Sequence, residues 1–202
     1  MALLRNQAEK DNLLTFSTFT VVEKTLGDVV TKLMSNERLK RLLYYSDKHC
    51  LSLPRLNQEQ SFSLLNEQIK VVPEIDTDDD VKPYVVVSMD YFVPMANQTT
   101  FRKMRLQFDI LCRYKEWLLD DFKLRPFSIA GEIDGMINNS MINHGLADFA
   151  GAKRIVLTKH LGGVQLYYIL ETFFNDTERQ QIDKEKLGIV TGARRAPNDL
   201  WN

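Results

Sequence analysis

The densest run of side chains that could do chemistry is EIDTDDDVK, residues 74–82, with one glutamate and four aspartates inside seven positions. Carboxylates crowded in this way can hold a divalent cation, and a calcium loop is the first template to test. That loop needs oxygen ligands at its first, third and fifth places, glycine at the sixth for a sharp turn, and a bidentate glutamate at the twelfth. Asp76, Asp78 and Asp80 fill the first three, but Val81 and Val87 stand at the sixth and twelfth. The turn and the closing ligand are both missing. Asp76, Asp78, Asp79 and Asp80 therefore read as a solvated acidic turn between strands, and no metal or cofactor is expected.

Other catalytic templates fail for similar reasons. A metal-dependent nuclease would set Glu74 or Asp76 beside an acid-x-lysine triplet, for which Asp121-Phe122-Lys123 is the candidate. That triplet follows Trp117 and Leu118 in a helical pattern, so its lysine does not converge on the acids. His49, His144 and His160 lie far apart and lack the paired His or Cys spacing of a zinc site. Ser128 in PFSIAG has no nucleophile-elbow glycines and reads as a helix cap. GAKR, residues 151–154, lacks the remaining glycine and the hydroxyl of a phosphate loop. No enzyme activity is expected.

Composition points the same way. The chain has 202 residues, 44% hydrophobic and 26% charged, with a formal net charge of −1. Such a chain can bury a real core and carries no global basic excess for nucleic acid. Phe101, Arg102, Lys103 and Arg105 around one strand, and Arg194 and Arg195 near the end, read as solvated charges and interface candidates. Cys50 and Cys112 sit in apolar patterns and read as buried free thiols. There is no 18-residue apolar stretch, and the first residues carry no signal-peptide pattern, so neither a membrane span nor secretion is expected.

The elements that would position these residues follow from hydrophobic period. Phe19, Val22, Leu26, Val29, Val30 and Leu33 recur at helical spacing, and Asn36 caps a second helix carrying Leu39, Leu42, Leu43 and Tyr45. Pro54 ends it, and residues 55–68 read as irregular or a single helical turn near Leu64. From Ile69 the period falls to two: IKVVPEI is a short strand kept to an edge by Pro73, and YVVVSMDYF, residues 84–92, is a longer one. Residues 93–103 read as a long hairpin loop before a return strand on Leu106, Phe108, Ile110 and Cys112. A helical interlude over 115–122, stopped by Pro126, leads to a helix capped by Ser128 and carrying Ile129, Ile133, Met136 and Ile137, with NNSMINHG as its frayed end. KRIVLTKH (153–160) and VQLYYILETFF (164–174) form a hairpin whose turn is assigned to Gly162-Gly163. In the Tyr44-Tyr45 and Tyr167-Tyr168 doublets one ring can be core and the next surface, aromatic surface that also suits a protein interface. The expected fold is α+β: an antiparallel sheet built from hairpins, with two or three helices on one face. Residues 1–17 form a leader, 18–174 the domain and 175–202 a polar arm.

In LKRLLYYSDKHCLSLPRL (39–56), KPYVVVSMDYFVPMANQTTFRKMRLQFDILCRY (82–114) and RPFSIAGEIDGMINN (125–139), the chain resembles the head–tail joining proteins of tailed bacteriophages, most nearly the tail terminator family. The resemblance covers roughly residues 18–174 and lies in segment style and element order, at the level of fold. It implies a structural virion protein, assembled in the host cytoplasm, whose homo-oligomeric ring, commonly a hexamer, caps the tail tube protein and docks onto head connector or neck proteins. DNA would pass through without specific binding. Strand edges could join neighbours, Trp201 could anchor the arm on an adjacent subunit, and the acidic loop could line the channel. Other neck adaptors, a monomeric adaptor using residues 93–103, and a small metal-dependent enzyme are the alternatives.

Overall fold

A computed structural model describes residues 18–71, 74–78, 81–95, 98–143 and 145–173. The leader and the whole of the arm, with Arg194, Arg195 and Trp201, lie outside the described residues, as do Asp79, Asp80 and His144.

The first helix, α1 (Thr18–Ser35), buries Val29 and Leu33 and half-buries Val22, Leu26 and Val30. Helix α2 (Glu37–Tyr44) starts at Asn36, whose side-chain oxygen accepts from the backbone N–H groups of Arg38 and Leu39 at 2.9 and 3.0 Å. The Asn36 amide also donates to Glu132 at 3.0 Å, tying the cap to a distant helix. A short helix, α3 (Gln58–Ser63), is set by a capping box between Asn57 and Gln60 and starts before Leu64, where the sequence suggested a turn. Helix α4 is Arg125–Ile137. Pro126 lies in its first turn, where the missing N–H costs nothing, so the proline opens this helix and Ser128 lies inside it.

Six strands form one sheet in the order β1-β2-β3-β6-β5-β4: β1 (Ile69–Lys70), β2 (Tyr84–Met95), β3 (Gln98–Arg113), β4 (Ser140–Ile142), β5 (Gly145–Val156) and β6 (Leu161–Phe173). Only the β1–β2 pair is parallel. The fold is α+β. One face of the sheet, lined by Val85, Val87, Met104, Leu106, Phe108, Ile110, Val164, Leu166, Tyr168 and Leu170, joins the apolar sides of α1, α2 and α4 in the main core.

Several expectations are corrected. The predicted loop over 93–103 is mostly ladder, because β2 runs to Met95 and β3 begins at Gln98. The interlude at 114–122 is two 3₁₀ turns, Tyr114–Glu116 and Asp120–Phe122. The supposed frayed end is β4, paired with β5 through Ser140–Ala147. Gly162 and Gly163 do not make the hairpin turn; they lie within β6, opposite Cys112 and Leu111. A Cβ on Gly163 would fall on the Ile110 carbonyl, and one on Gly162 would come within 2.9 Å of the Ile155 oxygen, so glycine is needed for close strand approach. The turn is Leu157–His160, where the Thr158 hydroxyl accepts from the N–H groups of His160 and Leu161 at 3.1 and 3.0 Å.

Arg125 ties α4 to α2, to the loop after α2 and to the 3₁₀ turn that follows β3. Its guanidinium is fully buried and donates to five backbone carbonyls: Glu116, Leu42, Tyr45, Ser46 and Asp47, at 2.6–3.0 Å. All five of its donors are satisfied, which is what makes a buried guanidinium tolerable here.

Candidate assembly surface

The helix-free face of the sheet has two parts. At one end Tyr84, Val86, Leu111 and Leu161 form a second apolar cluster with Val81 and Ile155. The acidic stretch crosses this cluster as a strap: the Tyr84 hydroxyl donates to the Asp76 carbonyl at 2.7 Å. Burial pushes the Tyr84 phenol up to about 12. The Asp76 carboxylate turns back to accept from the Asp78 N–H at 3.0 Å, while Asp78 faces solvent. Asp76 and Asp78 thus form a local Asx turn, with Asp79 and Asp80 of the acidic loop outside the described residues. Among the described residues no three His, Cys, Asp or Glu side chains are grouped as metal ligands.

Much of the rest of that face is polar and internally paired, with Met141 and Leu146 exposed at its β4–β5 side. Arg105 holds Asp90 (Nε to Oδ1, 2.6 Å), and Lys103 holds Glu171 at 2.7 Å. The Asp109 carboxylate accepts from Gln107 at 3.0 Å and from Gln165. The Tyr167 ring lies under Arg105 and Lys153, 5.2 and 5.6 Å from its centroid. The neighbouring Tyr168 is buried on the opposite face, donating to Asp134 at 2.8 Å, so the doublet splits between core and surface as its alternation required. Of Phe101 and Arg102 only the backbone is described; it pairs with Phe173 and Thr172 in the centre of the sheet.

Both sides of the sheet end in open backbone. On one side β1 covers β2 only at Val85 and Val86; on the other β4 covers β5 only at Gly145–Ala147, with Asn138 capping the Phe149 N–H at 3.2 Å. Ser88–Asp90 and Ala150–Val156 have no outer strand partner among the described residues. Apolar side chains crowd these edges: Tyr91, Phe92 and Val93 on β2, Val156 and Leu157 beside β5. A sheet edge of this kind is a template for another strand. Register shifts at Tyr91-Phe92 and between Pro94 and Met95 on β2, and at Ala150 on β5, divide the edges into short pairing segments.

A second exposed apolar group lies beyond the end of β3. Leu118, Phe122, Leu124 and Phe127 are all exposed, Phe122 at 93%. Asp121 and Phe122 hold left-handed backbone, φ 57° and 58°, a conformation costing non-glycine residues about 1–3 kcal/mol each. The Asp121-Phe122-Lys123 triplet is thus a strained surface turn, with Lys123 3.6 Å from Asp121. His49, which had no partner in the sequence, pairs with Asp120 at the edge of this turn, and their separation of 71 positions left no local signal. Cys50 and Cys112 are buried free thiols, and burial raises both above the usual thiol range.

A family model matches residues 36–170, two thirds of the chain, and its family is YomW. The chain belongs to the YomW family. That name is phage-derived, from an SPβ-like prophage, and points to a phage origin. No curated protein matches the chain. The YomW match begins at the cap of α2 and ends at Leu170, so it takes in α2, α4 and all of the sheet except the last residues of β6.

Proposed function

We propose that this YomW-family chain is a structural virion protein of a phage neck or tail, forming an oligomeric ring that terminates the tail tube and joins it to the head connector. The observation that carries this reading is the pair of open sheet edges on opposite sides of one rigid sheet. Such edges support a head-to-tail contact, and a head-to-tail contact that closes gives a ring. The exposed Leu118–Phe127 group lies at an end of the strands, off the edges, and suits docking onto a stacked neighbour such as the tail tube or connector. The strap carrying Asp76 and Asp78 lies on the helix-free face. With that face inward, its carboxylates repel DNA phosphates and let DNA pass without sticking.

The test is the mass of the purified protein by sedimentation, with and without residues 176–202. A discrete ring is expected, weakened by the truncation where the arm contributes to the contact. A strict monomer at every concentration would overturn the ring.

A further inference from the structure

Resting on the ring reading, we infer that the outer edge of β2 in one copy pairs antiparallel with the outer edge of β5 in the next, with Asp90 opposite Lys153. Direction comes first. Strands β2, β3, β6 and β5 alternate in sense, so a second copy's β2 placed beside β5 with its helices on the same side continues the alternation.

Backbone polarity then restricts the register. The Val85 N–H donates outward to Gln68 at 2.7 Å, so Val87 and Met89, two and four residues on, direct their N–H and C=O groups to the same edge. On β5, the Ala147 carbonyl accepts from Asn139 at the outer edge, and the bulge at Ala150 shifts the outward set to Ala152, Arg154 and Val156. Outward groups must meet outward groups. Met89 therefore lies opposite Ala152, Arg154 or Val156, each choice keeping the two helix faces on one side.

Charge and apolar area select among the three. With Met89 opposite Arg154, Asp90 meets Lys153 and Ser88 meets Ile155 on the helix-free face, and Val156, 61% exposed, lands beside Val87 and the exposed Val71. With Met89 opposite Ala152, Asp90 meets Gly151 and Lys153 meets Ser88. With Val156 in that place, Asp90 meets Ile155. Only the middle register joins opposite charges, and in the non-hydrogen-bonded position where side chains approach most closely.

The experiment is the double variant Ser88→Cys with Ile155→Cys in the full chain, oxidised mildly and separated by mass with and without reductant. Within one copy the two positions are three strands apart, roughly 14 Å at ordinary strand spacing, too far for a disulfide. The expected result is a reducible covalent ladder ending at the ring's own subunit number, with neither single variant giving it. The pair Asp90→Cys with Lys153→Cys gives the same ladder and replaces the first should loss of Ile155 from its cluster impair folding. A ring by sedimentation that yields no ladder with either pair overturns the edge pairing and leaves the ring standing. Dimers from Ser88→Cys alone would show like edges meeting and also overturn it. A strict monomer without cross-links overturns both readings.

Discussion

At the scale of the residue, the buried polar groups are the informative ones, because each must find a partner and so records where the chain has folded. Tyr84 buries its ring under the strap and its hydroxyl holds the Asp76 carbonyl. Its pKa rises from 10.0 to about 12 because burial disfavours the phenolate. Between those values the folded chain keeps a proton that the unfolded chain has lost, so this stabilising term is full below pH 10 and falls as pH rises toward 12. The loss is on the order of 2 kcal/mol. Urea midpoints at pH 9 and pH 11.5 should converge for Tyr84→Phe relative to the parent. Equal alkaline losses in both proteins would mean the strap does not enclose the hydroxyl. An acidic turn at Asp76 to Asp80 was expected from residue types alone, whereas the Tyr84 contact and the Arg125 clamp left no local signal. Arg125 binds carbonyls as many as 83 positions away, and no local pattern encodes that distance.

At the scale of the element, the two kinds of glycine separate clearly. Gly135, exposed on α4, has nothing near its missing Cβ, so Gly135→Ala should stabilise the chain by about 0.5–1 kcal/mol. Gly163 lies against the Ile110 backbone, and Gly163→Ala must push β3 and β6 apart at the centre of the sheet. We expect a loss of about 3 kcal/mol. Thermal or urea unfolding of the two variants gives the comparison, and an unaffected Gly163→Ala would contradict the packing described for β6. Hydrophobic period located α1, α2, α4, the middles of β2, β3 and β6 and only the 153–156 end of β5, since burial on one face writes directly into the sequence. It missed β4, residues 145–152 of β5 and the ends of β2 and β3, and ran the β5 strand on into the 157–160 turn, because SMI is too short to show a period and the 145–152 and Tyr91 to Arg102 stretches are mixed in polarity. It also misassigned the glycine pair, as a Gly-Gly dipeptide reads locally as a turn until the neighbouring strand is known.

At the scale of the whole molecule, the arrangement is a sheet with one face under helices, one face largely polar and strapped, and two edges only partly covered. In the proposed ring the strap faces the channel. Replacing Asp76, Asp78, Asp79 and Asp80 with asparagine should leave the ring mass unchanged and slow DNA passage in assembled particles, followed as the rate of DNA release. Loss of the ring in that variant would instead make the strap a subunit contact. Neither outcome bears on the β2–β5 pairing, which lies at the edges.

From its sequence alone, the chain declared an α+β fold, the capped second helix, the splitting of the Tyr167-Tyr168 doublet and the failure of the calcium template, because each rests on spacing within a few residues. Tertiary structure decided which strand edges stay open, which face the acidic strap crosses, why Gly162 and Gly163 must be glycine and what Arg125 holds. Those properties depend on strand order and on contacts between distant positions. A one-dimensional pattern records which face of an element is buried, but not what is buried against it.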